Sequence, residues 1–319
     1  MGIPDLSVIV VSFNSAGWLR PCLESVFAHA GTCDLDVVVV DNASTDGSPE
    51  LVEREFPAAR VLRNENRGFA HANNRGFEIT DAPYTLFLNP DTEIRMGTFS
   101  HLLAALQARP SVGLVGCRQL DSDGTLYPTI RRFPTPMRQL CEALGSERLP
   151  VRPSWAGQRV LDPAAYDRET RCDWVSGSFM FARREAVIQA GLMDERYFLY
   201  CEETDFCAAI TAAGWEVRYL PDMTFVHHCG TNGQNPRLVA QEAYSSRQYF
   251  HKHYGPVRRT LSAAALSLFY ARRSLASAGH DRNARNERVA ARAALRTLLG
   301  AAPAPFGELS GPVSGPREN

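Results

Sequence analysis

The sequence predicts an α/β protein built on a mostly parallel sheet that is flanked by helices. Short runs of β-branched residues without polar alternation predict strands that are buried on both faces of such a sheet. Segments with helical spacing separate these runs, which is the pattern of β-α-β units with right-handed connections. The chain has 319 residues, of which 45% are hydrophobic and 22% charged, so it can bury a substantial core and is not intrinsically disordered.

The first half of the chain carries the regular part of this pattern. Strands are predicted at Leu6–Val11, Leu35–Val40, Arg60–Leu62, Tyr84–Leu88 and Val112–Cys117. Helices are predicted at Asp46–Phe56, Phe69–Thr80 and Gly97–Ala108. Another helix between the first two strands is expected to become regular only around Pro21, because proline is poorly tolerated inside a helix. These elements form a half-sheet of the nucleotide-binding type.

The second half is less regular at first. Six prolines between Arg118 and Cys172 indicate a long connection. Regular structure is then predicted at Trp174–Ala182, as helices at Arg184–Ala190 and Glu203–Ala213, and as strands at Glu216–Leu220 and Thr224–Val226. From Pro303 onward Pro, Gly and Ser dominate, so a disordered tail is expected.

The composition excludes several classes of protein. The first turn lacks the GxGxxG pattern of NAD-binding folds, and Lys252 is the only lysine, which argues against a P-loop ATPase or a kinase. The eight cysteines contain no CxxC pair, so neither a zinc ribbon nor a disulfide framework is indicated. We expect a cytosolic chain with reduced thiols, because neither a leader nor about 20 consecutive apolar residues are found. A nucleotide whose phosphates are neutralised by a metal and arginine is the remaining interpretation.

Polar residues follow each of the first four predicted strands. Taken in chain order, they include Ser12, Asn14, Asp41, Asn42, Asn66, Arg67, Asn89 and Asp91. Each alone is explained by helix capping or a turn, but ligands of open α/β sheets bind where the carboxyl ends of the strands converge. Asp41 is suited to accept hydrogen bonds from a base or a ribose. Asp91 is suited to bridge Mg²⁺ or Mn²⁺ to a diphosphate, with capping as the alternative.

Two further clusters carry chemical groups. Glu202, Glu203 and Asp205 follow an aromatic run, and helix capping explains only one or two of these acids. Crowded carboxylates raise at least one pKa, as a general base near neutrality requires. His227 and His228 end a predicted strand and point to opposite faces, so at most one of them should bind a metal. A buried, hydrogen-bonded histidine is the alternative.

These motifs resemble one family when they are taken together. Seven segments resemble, in order and spacing over about residues 5–255, the inverting family-two glycosyltransferases with the GT-A fold: SVIVVSFNS, VVVVDNASTDGS, NENRGFAHANNRGF, FLNPDTEI, WVSGSFMFARREAV, GLMDERYFLYCEETDFCAAITAAGW and YLPDMTFVHH. Within that family, DSDGTLYPTIRRFPTP and GLMDERYFLYCEE are most similar to bacterial rhamnosyltransferases that use dTDP-rhamnose, including the type that acts on a polyprenyl-diphosphate-linked acceptor.

The resemblance implies a role for each matching residue. Asp41 would read the base and Glu203, in the family's acidic motif between Glu202 and Asp205, would be the general base. Asp91 and His227 would hold the divalent metal, although Asn89 replaces the first acid of the family's DxD motif. The nucleotide-sugar pocket would be lined by Ser12, Asn14, Asn42, Asn66, Arg67 and Asn89. The acceptor side would be walled by Trp174 and Gly177.

The resemblance also implies an organisation and a reaction. Residues 1–117 would bind the nucleotide sugar and residues 118–256 would bind the acceptor and carry the catalytic acids of the same GT-A domain. Glu203 would take the proton of an acceptor hydroxyl during a single displacement with inversion. Arg131 and Arg132 could add charge-assisted hydrogen bonds to a diphosphate, or belong to a solvated loop. The alternatives are a different donor, such as galactofuranose or N-acetylhexosamine, and a catalytically silent binding module.

The C-terminal extension, residues 257–302, is predicted to be helical and basic. It holds nine arginines but only two acids from Arg258 to Arg296. Apolar residues near one helical face between Thr260 and Leu275 favour contact with an anionic membrane at the cytoplasmic face. A helix packed on the catalytic domain and a dimer contact are the rivals. The arginines lack interleaved aromatic residues, which argues against nucleic-acid binding, and residues 303–319 form the predicted tail.

Overall fold

The computed structural model describes residues 2–146, 153, 155–228, 235–276 and 282–307. The strands are β1 Leu6–Ser12, β2 Leu35–Asp41, β3 Ala59–Arg63, β4 Tyr84–Leu88, β5 Thr92–Met96, β6 Val112–Leu120, β7 Leu126–Tyr127, β8 Thr170–Arg171, β9 Phe179–Arg183 and β10 Glu216–His227. The helices are α1 Ala16–Ala28, α2 Ser48–Glu55, α3 Phe69–Glu78, α4 Phe99–Gln107, α5 Pro136–Ala143, α6 Arg184–Ala190, α7 Glu202–Ala212, α8 Pro236–His253, α9 Pro256–Ala276 and α10 Arg282–Leu298.

The strands form one mixed sheet in the order β3-β2-β1-β4-β9-β6-β10-β5. Strands β3, β2, β1 and β4 are parallel, whereas β9 runs antiparallel to both of its neighbours. Both halves of the chain therefore contribute to a single sheet, and the predicted α/β class is confirmed. The predicted division at residue 117 falls inside β6 and remains a prediction.

The sheet is buried on both faces, as the unbroken apolar strands predict. Along β1, Leu6, Val8 and Val10 join the apolar cluster on one face, whereas Ile9 and Val11 join the cluster on the other. Successive side chains of a strand point to opposite faces, so a strand whose residues are all buried needs a covering layer on each side.

Helix α1 begins five residues before the predicted start at Pro21. Its first turn is held by distant groups, because the Asp46 carboxylate accepts a hydrogen bond from the Ala16 backbone N–H (2.9 Å) and Ser48 Oγ accepts one from that of Ser15 (3.0 Å). These contacts satisfy N–H groups that a helix leaves unpaired at its start. Pro21 is tolerated inside the helix.

Strand β5 was not predicted, and the two predicted strands at its side form one long strand. Residues Glu216–His227 form β10, whose pairing with β6 shifts between Tyr219 and Thr224 where Pro221 interrupts it. Proline cannot donate a hydrogen bond to a neighbouring strand, so an irregularity at that point is expected. The short β5, with charged residues in its sequence TEIRM, covers the edge of β10.

The predicted connection, residues 118–172, contains short elements. Helix α5 begins at a threonine cap, where Thr135 Oγ1 accepts from the Arg138 N–H, and a 3-10 turn spans Pro163–Tyr166. Proline occupies the first turn of both, where its missing N–H costs nothing. Two of the six prolines, Pro136 and Pro163, therefore begin short helices in this segment.

Helix α8, which was not predicted, leads into the C-terminal extension. Helix α9 packs against α5 and α8, and α10 packs against α8 and α9. Ser262, Ala265 and Tyr270 are buried, whereas Leu261 and Leu268 of the predicted apolar stripe are exposed. The extension is thus a packed layer that keeps an apolar outer stripe.

Three further expectations concern the chain as a whole. No described helix combines the length and apolar character that a bilayer span requires. The cysteines in the described ranges are all free, and Cys229 lies outside them. Of the predicted disordered tail, residues 303–307 are described and place Phe306 on Phe198 with ring centroids 4.4 Å apart. Residues 308–319 lie outside the described residues.

Candidate active site

The carboxyl ends of β1, β2 and β4 meet at one edge of the sheet, where a cavity of about 540 Å³ opens. We call it the rim cavity. It brings together the predicted site residues Asn14, Asn42, Asn66, Asn89, Asp91, Gly177, Glu202, Glu203 and His227. The convergence that parallel strands impose on their polar ends is therefore present.

The two loops that follow β1 and β2 are tied to each other. Asn14 Oδ1 accepts a hydrogen bond from the Thr45 N–H (2.8 Å), and the Asn14 N–H donates to Ser44 Oγ (2.9 Å). Asn14 and Ala43 both have positive φ, of 51° and 62°. Such strained positions persist only where the surroundings hold them, and they concentrate at functional sites.

Three residues predicted for this site do not line the cavity. Ser12 and Asp41 are buried beneath its edge, and Arg67 is exposed outside it. Asp41 Oδ2 accepts a hydrogen bond from the Ser44 N–H, whereas Asp41 Oδ1 and Ser12 Oγ have no partner among the described residues. A buried polar atom without a partner costs free energy, which a ligand reaching it would recover.

Asp91 and His227 lie next to each other in the wall of the rim cavity, with Asp91 Oδ1 3.0 Å from His227 Nε2. Asn89 Nδ2 lies 3.2 Å from the same ring nitrogen, and Asn89 Oδ1 is buried without a partner among the described residues. No cluster of three or more acidic, histidine or cysteine ligands occurs in the described ranges. A carboxylate, an imidazole and an unused amide oxygen nevertheless fit a hard divalent ion that takes its other ligands from phosphate and water.

Gln119, which sequence reasoning missed, orients the His227 ring. Its Oε1 accepts from Ser178 Oγ (2.9 Å), and its Nε2 lies 3.2 Å from His227 Nδ1. A hydrogen bond at one ring nitrogen decides which state the other presents to a metal or a carboxylate. Gln119 is fully buried in β6, and its only signal in the sequence was a polar amide two residues after the predicted strand Val112–Cys117.

His228 points away from this site, as the alternation along a strand predicts. Its ring stacks on Trp18 with centroids 5.1 Å apart, and its Nε2 lies 3.3 Å from Glu93. Of the adjacent histidines, His227 alone lines the rim cavity.

Helix α7 presents its first acids to the cavity. Tyr200 and Cys201, immediately before it, both have positive φ, of 70° and 67°, and this tight entry aims Glu202 and Glu203 at the site. Burial raises the pKa of Glu203, and burial together with the neighbouring Glu203 carboxylate raises the pKa of Glu202 well above its usual value. A Cβ on Gly177 would lie 3.4 Å from Glu203 Cβ, so this glycine leaves room beside the acid.

A second cavity of about 260 Å³ lies behind Glu203, between α5, α7, α8 and α9. We call it the helix cavity. Glu203 and Tyr200 line both cavities, whereas Glu202 lines only the first. Trp174 and Arg131 line the helix cavity, and Arg132 lines neither. The Glu203 carboxylate therefore stands between two spaces that can each hold a ligand.

Asp205 has a different position from the other two acids. It lines neither cavity, and its carboxylate pairs with Lys252 Nζ (2.7 Å) and His253 Nε2 (2.6 Å) at the end of α8. Lys252 also pairs with Asp194 (2.8 Å). These ion pairs hold α8 against α7, and the catalytic role expected of Asp205 remains a prediction.

Sequence reasoning also missed most of the helix cavity. Its walls include Glu242, Tyr249 and Phe250 from α8, and Leu266, Phe269 and Tyr270 from α9. These residues lie far from the motifs in sequence, and no local pattern distinguishes them from ordinary helix packing.

Comparisons with known proteins agree with this geometry. The sequence profile described as "Glycosyl transferase family 2" matches residues 7–161. An N-acetylglucosaminyl-diphospho-decaprenol L-rhamnosyltransferase of Mycobacterium tuberculosis (strain H37Rv) is 31% identical over 80% of this chain and 89% of the relative. The chain belongs to glycosyltransferase family 2. It is thus an inverting glycosyltransferase, as the motifs predicted.

Other members and structures extend the comparison. Rhamnosyltransferase WbbL of Escherichia coli (strain K12) is 23% identical over 69% of this chain and 82% of its own. The mannosyltransferase PcManGT from Pyrobaculum calidifontis, solved with GDP-Man and Mn²⁺, has a TM-score of 0.56 at 19% identity, covering 94% of this chain and 87% of that one. The predicted GT-A fold of this family 2 enzyme is confirmed.

Proposed function

We propose that this glycosyltransferase transfers rhamnose from dTDP-rhamnose to a hydroxyl of a polyprenyl-diphosphate-linked acceptor. The observation that carries the proposal is the place of Glu203, which lines both the rim cavity and the helix cavity. A base that activates one substrate against another must touch both substrates. The names of the M. tuberculosis and E. coli relatives support the choice of rhamnose, and the former supports the lipid-linked acceptor.

The rim cavity is the donor site in this proposal. The unpartnered Asp41 Oδ1 at its base is an acceptor for the imide N–H of thymine, and Asn42 and Asn66 line the nucleoside part. Asp91 and His227 would hold a divalent cation, Mg²⁺ or Mn²⁺, that offsets the charge of the leaving diphosphate. The solved neighbour PcManGT contains Mn²⁺, which supports this assignment.

The reaction is a single displacement at the anomeric carbon. The acceptor oxygen, held on the helix-cavity side, forms the new C–O bond while the bond from the anomeric carbon to the diphosphate oxygen breaks. The Glu203 carboxylate takes the hydroxyl proton, and the bonding electrons leave with the nucleoside diphosphate. Its raised pKa suits a group that must hold this proton at the end of the step.

The test compares donors with one acceptor. Purified enzyme with N-acetylglucosaminyl-diphospho-polyprenol and Mg²⁺ should convert dTDP-rhamnose to dTDP and yield a rhamnoside of inverted anomeric configuration, as measured by NMR. The same donor should raise the melting temperature, because a ligand that binds only the folded state stabilises it. Transfer only from UDP-galactofuranose or a UDP-N-acetylhexosamine would contradict the rhamnose assignment. Absence of nucleoside diphosphate release from every donor would favour the silent binding module.

We further propose that the outer face of α5 and α9 rests on an anionic membrane. The two helices run side by side, since Tyr254 before α9 donates to the Pro134 carbonyl and Gly145 after α5 approaches Arg272. Exposed apolar residues line their outer faces: Met137, Leu140, Leu144, Val257, Leu261, Leu268 and Leu275. Arginines beside an apolar stripe suit an anionic leaflet.

Vesicle sedimentation tests this surface. The protein should sediment with phosphatidylglycerol vesicles at low salt and be released at high salt, and Leu261→Glu with Leu268→Glu should abolish the binding. Leu299→Glu, at an exposed leucine beyond α10, is the control. Equal sedimentation of the control and the double variant would refute the membrane surface. A concentration-dependent dimer that the double variant disrupts, without vesicle binding, would favour a dimer contact.

A further inference from the structure

Arg131 is a buried cation that forms no ion pair with a described carboxylate. The residue is 9% exposed, and among the described residues its guanidinium makes one hydrogen bond, from Nη2 to Tyr127 Oη (3.0 Å). Its Nε is buried without a partner among the described residues. The buried carboxyls of Glu203 and Glu242 interact with its charge without a direct ion pair. A buried charge without an opposite charge is costly, so such a residue calls for an anion that the protein itself does not supply.

The surroundings hold Arg131 ready for a ligand. Its guanidinium carbon lies 5.5 Å from the centre of the Tyr127 ring and 5.3 Å from that of Trp174. The Arg131 N–H donates to the Trp174 carbonyl (3.0 Å), and the Arg131 carbonyl accepts from Asp173 (3.0 Å). With its backbone and side chain both fixed, the guanidinium loses little conformational freedom on binding an anion, and its planar fork suits phosphate oxygens.

The helix cavity around Arg131 combines charge with an apolar wall. Arg159, which bridges to Arg131 through the backbone, also lines it. Three acids also line this cavity. Glu142 is engaged by the Gln158 backbone N–H (2.7 Å) and side chain (2.8 Å). Burial raises the pKa of Glu203 and of Glu242 despite the nearby charge of Arg131, so neither is a strong counterion for it. Helix α9 supplies the apolar side of the cavity through Leu266 and Phe269.

We infer that Arg131 binds the diphosphate of the lipid-linked acceptor in the helix cavity and that α9 forms the wall along which the lipid chain leaves. The inference rests on the proposed function and names the acceptor chemistry at the same site. Glu203 would then face the sugar, Arg131 the diphosphate and Phe269 the first part of the lipid. The C-terminal extension is thereby part of the acceptor site.

The test uses binding, so that it does not depend on turnover. Titration calorimetry in the absence of vesicles measures the Kd of N-acetylglucosaminyl-diphospho-farnesol and that of an octyl N-acetylglucosaminide, which has the same sugar without the diphosphate. Arg131→Gln should raise the Kd of the diphosphate ligand by about 10-fold to 100-fold, as expected for the loss of charge-assisted hydrogen bonds. The Kd of the glycoside and that of dTDP should change less than about twofold on the same scale. Arg168→Gln, at an exposed arginine, is the matched control.

The wall is tested in the same way. Phe269→Ala should weaken the farnesyl ligand by about 10-fold, as for other buried aromatic contacts, whereas Leu299→Ala should not weaken it. Arg131→Lys keeps the charge and should restore part of the affinity, which separates a local charge effect from misfolding. Equal affinity of the wild type and Arg131→Gln for the diphosphate ligand, or an equal loss for both ligands, would overturn the inference. Arg131-dependent binding in a protein that transfers no rhamnose would instead refute the proposed function alone.

Discussion

Replacing Glu203 with glutamine tests the catalytic geometry most directly. The change keeps the shape of the side chain but removes its ability to accept a proton. Among the described residues only Glu203 and Tyr200 line both cavities, and burial raises the pKa of Tyr200. Positioned general bases contribute about 100-fold to 10,000-fold. Loss of Glu203 should therefore lower kcat by that factor, which corresponds to about 3 to 5 kcal/mol of barrier.

The donor site should survive this change. Glu203→Gln replaces one carboxyl with a neutral amide and, by removing the neighbouring charge, lowers the pKa of Glu202. Glu202 can then take over the negative charge that Glu203 loses, so the rim cavity carries no more charge than a wild-type site with Glu203 ionised. Calorimetry with dTDP should thus give a Kd within about twofold of the wild type. Glu202→Gln is the matched comparison: because Glu202 lines only the rim cavity, its loss should raise the KM for the donor more than it lowers kcat.

Single-turnover transfer with enzyme in excess separates the chemical step from product release. The acidic limb of its pH profile should lie above the ordinary glutamate pKa of 4.5, because burial raises the pKa of Glu203 and only the deprotonated form accepts a proton. Glu203→Asp should lose about 100-fold, since it withdraws the carboxylate by one methylene. A Glu203→Gln enzyme that keeps more than about a tenth of the wild-type rate would refute Glu203 as the base.

Three further predictions follow from other contacts. Chelation of divalent ions should suppress transfer. Asp91→Asn should raise the Mn²⁺ concentration for half-maximal rate at least about 10-fold, whereas His228→Ala should leave that concentration unchanged. The reverse ranking in a metal titration would contradict the assignment of Asp91 as a metal ligand. Hydrogen bonds from Arg196 and Lys252 outweigh burial and lower the pKa of Asp194 to about 2, so this carboxylate stabilises the fold by about 2 kcal/mol above its ordinary pKa, and the contribution is lost as the pH falls from about 4 to about 2. Urea unfolding of Asp194→Asn should show that loss already at pH 7, and an unchanged pH dependence would argue against it. A Cβ on Gly68, whose φ is 103°, would lie 2.4 Å from the Phe198 carbonyl oxygen. Gly68→Ala should therefore lower the free energy of unfolding by at least about 1 to 3 kcal/mol and weaken dTDP binding. Gly17→Ala, where a Cβ would meet no atom within 4 Å, should stabilise α1 by up to about 1 kcal/mol, and equal melting temperatures for the two variants would contradict the packing argument.

The parts of the fold that could be predicted are those whose local pattern is enforced by burial on both sides. The apolar runs of β1, β2 and β4 have no alternative to a central strand, and the polar residues after them must meet once the strands are parallel. For that reason the sequence could predict that Asn14, Asp91 and Glu203 lie around one cavity. Strand β5 could not be predicted, because a five-residue segment with charged side chains becomes a strand only by pairing with β10.

Other assignments depended on partners that are remote in the sequence. The Asp46 carboxylate lets α1 begin before Pro21, and Lys252 and His253 pair with Asp205 outside both cavities. Arg131 was predicted as one of two basic loop residues, yet only Arg131 is buried between aromatic rings in the helix cavity. Each of these positions depends on a charged side chain: either its partner lies 30 or more positions away in the sequence, or, for Arg131, no described ion-pair partner is present.

By itself, the sequence determined the α/β class, the polar edge of the sheet and the acids that face it, because hydrophobic periodicity and the direction of parallel strands leave few alternatives. Only the tertiary structure decided which of those acids stands between two cavities, which arginine is buried without an ion pair among the described residues and which side of α9 stays exposed to solvent. Helical spacing places side chains on a face, but the elements packed against that face decide what the side chains meet.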